Sequence, residues 1–562
     1  KGSPLLPRDS GGEVRIFRFA KELIGHSNAD LQVETLQKAV SAWQQREPMT
    51  VDEINCLPLA LKAALLSVLH EMILLCTQQQ QEWGAAELFT KELQQKHEAA
   101  AMRRFESCKH STTFLERLLS LLRTSEEPIA VAWLDKHIAS LNHQTEQVAQ
   151  LEHDRQTENR LWVGNAITSL RVVANLPWHK LCENMSLVHD ELMHDSIYPL
   201  MDAESRSYYR SRVVHISRLT GRKELSVCSA ILSLTSSGTD SLESHVGYYL
   251  LDKGRAALFE HLNAQSPLSK VYLYAIAHAI SLYRAACWLV FLIAMGLPFL
   301  WGMSPFLLLP LGVVTLYPFQ QLAARLCQRW IRPKMVPRLL IEQLSGDQQT
   351  LVVCPTLLTD KEHALAMIKH LSVLHQANPD PRLHFLLLGD YQDSLTGTLN
   401  TDEDIVSTAA TAVQALAEDS GHTFLYMQRA RTFNARDSVF MSRERKRGGL
   451  ETLLRIIDGR PIEDTFTYCS CPRSALQGHY RYVITLDSDT ILPPGSALRM
   501  IGAMQHPLQQ RMEHQGTMRG VSILQPRMEV ATHTVGSYLS LFLGGQGGSD
   551  PYNALSSDLM QD

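Results

Sequence analysis

Along this chain the spacing of hydrophobic and polar positions changes twice, and each change marks a region. From about residue 14 to about residue 262 apolar residues recur at helical spacing, which predicts a helical domain. Within it, LPLALKAALLSVLHEMILLC (57–76) is apolar nearly all round and predicts a buried helix. Farther on, TEQVAQLEHDRQTENRLWVGNAITSLRVV (145–173) mixes charge with an apolar stripe and predicts an amphipathic one. After Arg284 the pattern becomes uniformly apolar, and residues 285–324 carry no charge. One spanning helix needs about 20 apolar residues. This run holds twice that, with a GMSP break at 302–305, and predicts two membrane spans joined by a tight turn. The alternative is a soluble buried helix pair, which rarely lacks all charge over such a length.

Beyond residue 349 the period shortens. TLVVCPTLL (350–358), LHFLLLGD (383–390), HTFLYMQR (422–429) and RYVITLDSD (481–489) predict short strands, with helical segments between the first three. That alternation describes an open α/β sheet with a mainly parallel core, whose ligand site lies beyond the carboxyl ends of its strands. Polar residues following the strands are therefore the candidates for chemistry: Thr356, Thr359 and Asp360, then Asp390 and Asp393, then Asp487 and Asp489. The expected boundaries are a helical domain at 1–265, a transmembrane hairpin with flanking helices at 266–340, and an α/β domain at 341–562.

Two of these candidates stand out. Asp487 and Asp489 end an apolar strand, and residues i and i+2 of an extended segment point to one side. Two adjacent carboxylates repel unless a cation or proton lies between them. A hard ion such as Mg²⁺ or Mn²⁺, itself bound to a phosphate, meets that need, although turn or cap acids after a strand are common. Upstream, SRERKRGG (442–449) precedes the helical LETLLRII. It reads either as a solvated charge run or as a diphosphate clamp, with Arg and Lys supplying charge and two glycines letting backbone N–H groups approach. Acid pair, lone strand-end Asp and basic loop together describe a nucleotide-sugar site.

Composition narrows the choices. A chain of 562 residues has room for three or four domains of ordinary size, and a net charge of −5 without a concentrated basic surface argues against a nucleic-acid partner. The ten cysteines are scattered except for Cys469 and Cys471, which predicts free thiols in a reducing compartment. None of the 23 histidines forms an H-E-x-x-H site. The opening KGSPLLPRDSGGE has no initiator Met and no signal peptide, so a natural start upstream of Lys1 is expected. Basic residues flank the apolar run on both sides: Lys253, Arg255, Lys270 and Arg284 before it, and Arg325, Arg329, Arg332, Lys334 and Arg338 after it. The positive-inside rule then puts both flanks, and the acid pair, in the cytoplasm.

Several stretches resemble the glycosyltransferase part of bacterial cyclic β-1,2-glucan synthases: TLVVCPTLLTD, ANPDPRLHFLLLGDYQDS, SRERKRGGLETLLR, RYVITLDSDTILP, HPL at His506, ILQPRM at Ile523 and DPYNALSSDLMQD at the end. MDAESRSYYRSRVVHIS at Met201 and HVGYYLLDKGRAAL at His245 resemble the helical segment before that family's membrane spans. The departures are Gly449, where the family usually has Lys, and Ser488, where Ala is usual. The resemblance implies an inner-membrane, multi-pass, inverting glucosyltransferase with a GT-A type fold, C-terminally incomplete here, that builds a β-1,2-glucan from UDP-glucose. Carried over by position, it gives Thr356, Asp390, Lys446, Arg447 and Gly448 to the donor, with Asp390 on the uracil and Lys446 and Arg447 on the diphosphate. Asp487 and Asp489 go to the sugar-nucleotide and its Mg²⁺ or Mn²⁺, and Gln525 and Arg527 to the acceptor side. Asp558 and Asp562 are the late acids available as general base. The implied partners are the growing glucan, the lipid bilayer and further carbohydrate-active domains of the same polypeptide. A cellulose- or hyaluronan-synthase-type enzyme and a non-catalytic membrane scaffold are the rival readings.

Overall fold

The computed structural model describes residues 6–526 except 95–101, 103–104, 106–109, 126, 141–143, 239–241, 265, most of 301–334, and 422, 464, 511 and 515–516. The chain divides into two compact units, one formed by Lys1–His194 and Arg210–Ala230, the other by Asp195–Tyr209 and Ile231–Asp562.

The first unit is helical, as the 3.6-residue period predicts. Its axis is a 44-residue helix, Val51–Gln94, whose N-terminal half packs Ile54, Leu57, Leu61 and Leu65 against Ile16, Phe19, Leu36, Val40 and Val173. Its C-terminal half joins a second core through Ala86 and Leu93, with Phe105, Leu118, Leu134 and Val148. Arg15, itself buried, grips Glu53 with two hydrogen bonds of 2.8 and 2.6 Å near the start of the long helix. The Val51 N–H donates to the Glu224 carboxylate at 2.9 Å. One expectation is corrected here. Residues 57–76 are buried on one face only, since Leu59, Leu66, Ile73 and Leu74 stand exposed on the other. Among the described residues this is the one helix that is by itself long and apolar enough to cross a membrane. The amphipathic segment forms the 31-residue helix Thr145–Asn175, where the Ser169 hydroxyl donates to Ala29 O and accepts from Leu31 N–H.

The first part of the uncharged run lies in the helix Ala279–Leu300, with Trp288, Leu289, Leu292 and Ile293 exposed. Helices Pro267–Ala277 and Ser281–Ile293 meet at an 84° bend. Most of the expected second span lies outside the described residues.

The sheet of the second unit has the order β6-β3-β2-β1-β7. Its strands are β1 (Thr350–Leu358), β2 (Leu383–Tyr391), β3 (Phe424–Arg429), β6 (Phe466–Cys469) and β7 (Tyr482–Thr485), all parallel except β6. The four predicted strands are present, and the short antiparallel edge strand β6 is an addition. Alternation of side chains sorts the core into two layers. Val352, Cys354, Phe385, Leu387, Phe424 and Tyr426 face the helices Lys361–Ala377 and Asp402–Ser420. Leu351, Val353, Leu386, Leu388, Leu425 and Met427 face Leu453 and Ile456 of the helix Arg445–Ile457. Small hairpins β4 (Thr432–Asn434) with β5 (Val439–Met441), and β8 (Met512–His514) with β9 (Thr517–Arg519), lie outside this sheet.

Candidate functional site

Strand order decides where a ligand can sit. From β1 the chain steps outward through β2 to β3, then returns to place β7 on the other side of β1. The order reverses between β1 and β7, and in open α/β sheets the crevice beyond the carboxyl ends at such a reversal is the ligand site. Thr485 at the end of β7 pairs with Val353, and Leu486 N–H donates to Val353 O at 3.0 Å, so Asp487 and Asp489 emerge beside the last third of β1.

Both acids are exposed there, but not as the extended pair expected. The strand stops at Thr485, and Thr490 N–H closes a turn onto Asp487 O at 3.0 Å. The i and i+2 alternation of an extended strand therefore does not set the direction of these two side chains. The turn is braced from the helix Lys361–Ala377: His370 Nε2 donates to Thr490 O (3.1 Å), and Gly495 N–H donates to Ala377 O (3.2 Å). Just beyond that helix, buried Asn378 donates to Leu492 O (3.2 Å) and accepts from Ala497 N–H (3.1 Å). Gly495, with φ +69°, makes the left-handed step into the helix Ser496–Gln505.

The basic stretch supplies the opposite charge. Lys446 Nζ forms an ion pair with Asp487, which brings the basic segment and the acid turn together. Arg445 pairs with Asp393 and Arg443 with Glu463. Arg447 is mostly exposed and reaches Glu444 at 3.4 Å. Arg445, Lys446, Arg447 and Gly448 form the first turn of Arg445–Ile457, with Gly449 opening the second. The two glycines differ from the phosphate-cradling expectation: both are buried, and Gly448 N–H is spent on Glu444 O at 3.2 Å. A Cβ on Gly448 would lie 2.1 Å from Arg443 O, and one on Gly449 would lie 3.3 Å from the Arg429 guanidinium. Glycine serves close packing here.

Asp390 is buried, and its two oxygens accept from Arg429 Nε and Nη2 at 2.7 and 2.8 Å. Arg429 also donates to Arg443 O (3.0 Å) and Arg445 O (2.6 Å), so the strand-end acid holds the basic segment in place through one guanidinium. Glu444 and Arg445 adopt left-handed φ values of 48° and 46°, a conformation that costs a non-glycine residue energy and persists where surroundings enforce it. A second buried pair, Arg431 with Asp402, fixes the segment after β2, with Arg431 also donating to Gln392 O and lying 4.6 Å from the Tyr391 ring centre.

The remaining candidates divide. Thr356 is buried, its hydroxyl 3.6 Å from Met367 Sδ. Asp360 is the N-cap of Lys361–Ala377, accepting from His363 N–H at 2.8 Å, and Thr359 donates to it. The N–H of His363, with Thr359 assisting, lowers the Asp360 pKa. Gln525 is exposed, whereas Arg527, Asp558 and Asp562 lie outside the described residues. Burial pushes the Cys354 thiol up to about 12 in spite of the nearby Lys446, so this strand offers no thiolate. The described cysteines are all free. Arg429, Arg431, His370 and Asn378 escaped the sequence reading. The one available signal was charge at the end of an apolar strand, in MQRAR, because a buried guanidinium demands a partner.

The donor set bears on a metal. Among the described residues no three His, Cys, Asp or Glu side chains gather in a metal-binding group. Two exposed carboxylates beside a lysine ammonium suit Mg²⁺ or Mn²⁺ completed by phosphate oxygens, the usual arrangement for Mg²⁺, and do not make a cage on their own.

No family model matches the chain. Over 98% of its length it is 25% identical to the cyclic beta-(1,2)-glucan synthase NdvB of Rhizobium meliloti (strain 1021). The chain is similar to cyclic β-1,2-glucan synthases along nearly its whole length. It spans about a fifth of that synthase's own length (20%). The similarity takes in the helical unit as well as the sheet.

Proposed function

We propose that the sheet-bearing unit is a GT-A type glycosyltransferase domain that transfers glucose from UDP-glucose, with inversion, to a growing β-1,2-glucan at the cytoplasmic face of the bacterial inner membrane. The observation that carries this reading is the pairing of Lys446 with Asp487 in the crevice between β1 and β7. A nucleoside diphosphate needs cationic and metal-binding groups facing one point, and these two side chains, with Asp489 two residues farther on, suit that need.

Asp487 and Asp489 would hold a divalent ion through the donor's phosphates. The ion would neutralise charge developing on the departing diphosphate. Lys446 releases Asp487 and turns to the phosphates when the donor enters. A carboxylate offers about four acceptor positions, and the two that Arg429 leaves free on Asp390 suit the N–H of a pyrimidine base. Thr356 is assigned to the donor side from the end of β1, where its buried hydroxyl meets Met367 Sδ. Arg447, mostly exposed, contributes charge at the rim, and Gly448 gives the segment its close approach. Gln525 and Arg527 are assigned to the acceptor side, and the base that deprotonates the acceptor hydroxyl is an acid later in the chain than Asp489, with Asp558 and Asp562 as the late acids. The uncharged residues 285–324 are read as a hairpin with both flanks cytoplasmic.

Replacing Asp489 by Asn tests the assignment. Because its carboxylate is exposed on a turn, the variant should keep its thermal stability and lose incorporation of radiolabelled UDP-glucose in membranes carrying the full-length protein. Near-wild-type incorporation would refute the metal assignment.

A further inference from the structure

Away from the crevice, the sheet-bearing unit buries four polar side chains from three separate segments in one line. Asp195 is 5% exposed, and Tyr209, His245 and His506 are fully buried. Asp195 Oδ2 lies 2.8 Å from His245 Nδ1, His245 Nε2 lies 3.0 Å from Tyr209 Oη, and Tyr209 Oη lies 3.4 Å from His506 Nε2. At the far end Leu508 N–H donates to His506 Nδ1 at 3.2 Å.

The two ends fix every proton between them. A backbone N–H can only donate, so His506 Nδ1 accepts and its proton sits on Nε2, which donates to Tyr209. Tyr209 then donates to His245 Nε2, and His245 Nδ1–H donates to Asp195. Burial tends to raise the Asp195 pKa, but His245 and the N–H groups of Val246 and Tyr198 outweigh it and hold the acid ionised. Burial, with His245 adding to it, pushes His506 well below its ordinary value and keeps it neutral. Room for the line depends on Gly247, where a Cβ would lie 2.2 Å from Tyr209 Oη and 2.4 Å from His245 Nε2.

His506 is the C-cap of Ser496–Gln505, the helix that follows the acid turn after residues 491–495. Midway along, Leu339 N–H donates to Gly502 O at 3.0 Å, and a Cβ on Gly502 would meet Leu339 O at 2.3 Å. Leu339 in turn bridges to Met201, and Arg338 Nε pairs with Asp202 at 2.6 Å. A ten-residue helix is stiff and about 15 Å long, and its N-terminal end joins the acid turn through residues 491–495, a segment that Asn378 holds by Leu492 O and Ala497 N–H.

We infer that Asp195, His245, Tyr209 and His506 form a positioning relay for the donor site, setting the acid turn through the helix Ser496–Gln505; this rests on the reading of Asp487 and Asp489 as the phosphate-binding end. None of the four touches the donor. They act through the helix.

The test uses the full-length purified protein with Tyr209→Phe, His506→Leu, Gly247→Ala and the conservative His506→Gln, which keeps an N–H to offer Tyr209. Two readouts are taken: amide hydrogen exchange at 487–495 with β1 and β2 as internal reference, and affinities for uridine and for UDP with Mn²⁺. The relay predicts faster exchange at 487–495 with β1 and β2 unchanged for the first three variants. It also predicts UDP–Mn²⁺ affinity weakened about tenfold, the effect of losing roughly one hydrogen bond's positioning, at unchanged uridine affinity, and recovery of most of both in His506→Gln. Exchange at 487–495 that stays at wild-type level in a folded Tyr209→Phe would overturn it, as would equal loss of uridine and UDP. If a larger substitution fails to fold, Tyr209→Phe, which removes one oxygen, decides alone. A wild-type protein that binds no UDP–Mn²⁺ refutes the donor reading instead, and the exchange data still judge the mechanical link.

Discussion

Lys446 stands against Asp487, and on the proposed reading this single contact makes opposite predictions for two ligands. Removing the ammonium frees a carboxylate for a bare cation but takes one charge from the phosphates. Lys446→Ala should therefore bind Mn²⁺ more tightly than wild type and UDP–Mn²⁺ about ten- to a hundredfold more weakly, since hydrogen bonds to charged groups are worth roughly 1.5 to 3 kcal/mol. Arg447, mostly exposed beside Glu444, should change UDP affinity by less than about threefold when replaced by Ala, the scale of an exposed charge contact. Calorimetric titration of both ligands into both variants checks the sign and the asymmetry. At this scale the acids and the basic stretch were legible in the sequence because each is a dense local cluster. Arg429, His370 and Asn378 were not, because their partners lie far away in the chain and only the fold brings them together.

At the scale of elements the four parallel strands and their helices could be read because apolar runs of five to nine residues, set between amphipathic helices, allow few other arrangements. The edge strand β6 was missed because FTYC is short and only partly buried. The turn at 487–490 was missed because an extended pair and a turn of the same acids look identical as text. The glycines of the basic stretch read either as backbone open to a phosphate or as part of a solvated charge run, whereas each fills a packing requirement. Gly448→Ala drives a Cβ onto the Arg443 carbonyl, a backbone atom that cannot easily yield. In Gly389→Ala the obstacle is the end of the Gln428 side chain, Oε1 at 2.1 Å. The first should cost on the order of 2 to 4 kcal/mol in chemical denaturation and the second clearly less, the spread expected between overpacking against backbone and against a rotatable group. Equal losses would show that the basic segment relaxes more freely than its double tether to Arg429 implies.

For the whole molecule, two expectations follow from charge. Burial first, then Asp52 and Glu53, push Glu224 up to about 7, against the Val51 N–H and Arg218. A carboxyl whose folded value lies above its unfolded value of 4.5 contributes stability that is present below about pH 4.5 and lost as pH rises through about 7. Glu224→Gln should thus stabilise the helical unit by on the order of 1 to 3 kcal/mol at pH 8 and not at pH 5, read from thermal melts at the two pH values. Topology is the second: cysteines introduced at Ser266 and Ser345, in a background without native cysteines, should both be shielded from impermeant thiol reagents in intact cells, and labelling of either would contradict the hairpin. The helix-to-sheet division was legible from period alone, whereas the loan of Asp195–Tyr209 to the sheet-bearing unit was not, since those residues keep the same helical spacing as their neighbours. Strand order carries a further consequence, for the chain as it is made. β1, β2 and β3 leave the ribosome in sequence and can pair as they emerge, but the far side of β1 waits for β7, more than a hundred residues later. Until then a buried strand presents an open ladder of N–H and C=O groups to any neighbour, the situation in which nascent sheets cross-pair and aggregate. Closing that edge is also the step that delivers Asp487 and Asp489, so the nascent chain covers its open ladder and sets its acid turn in the same event.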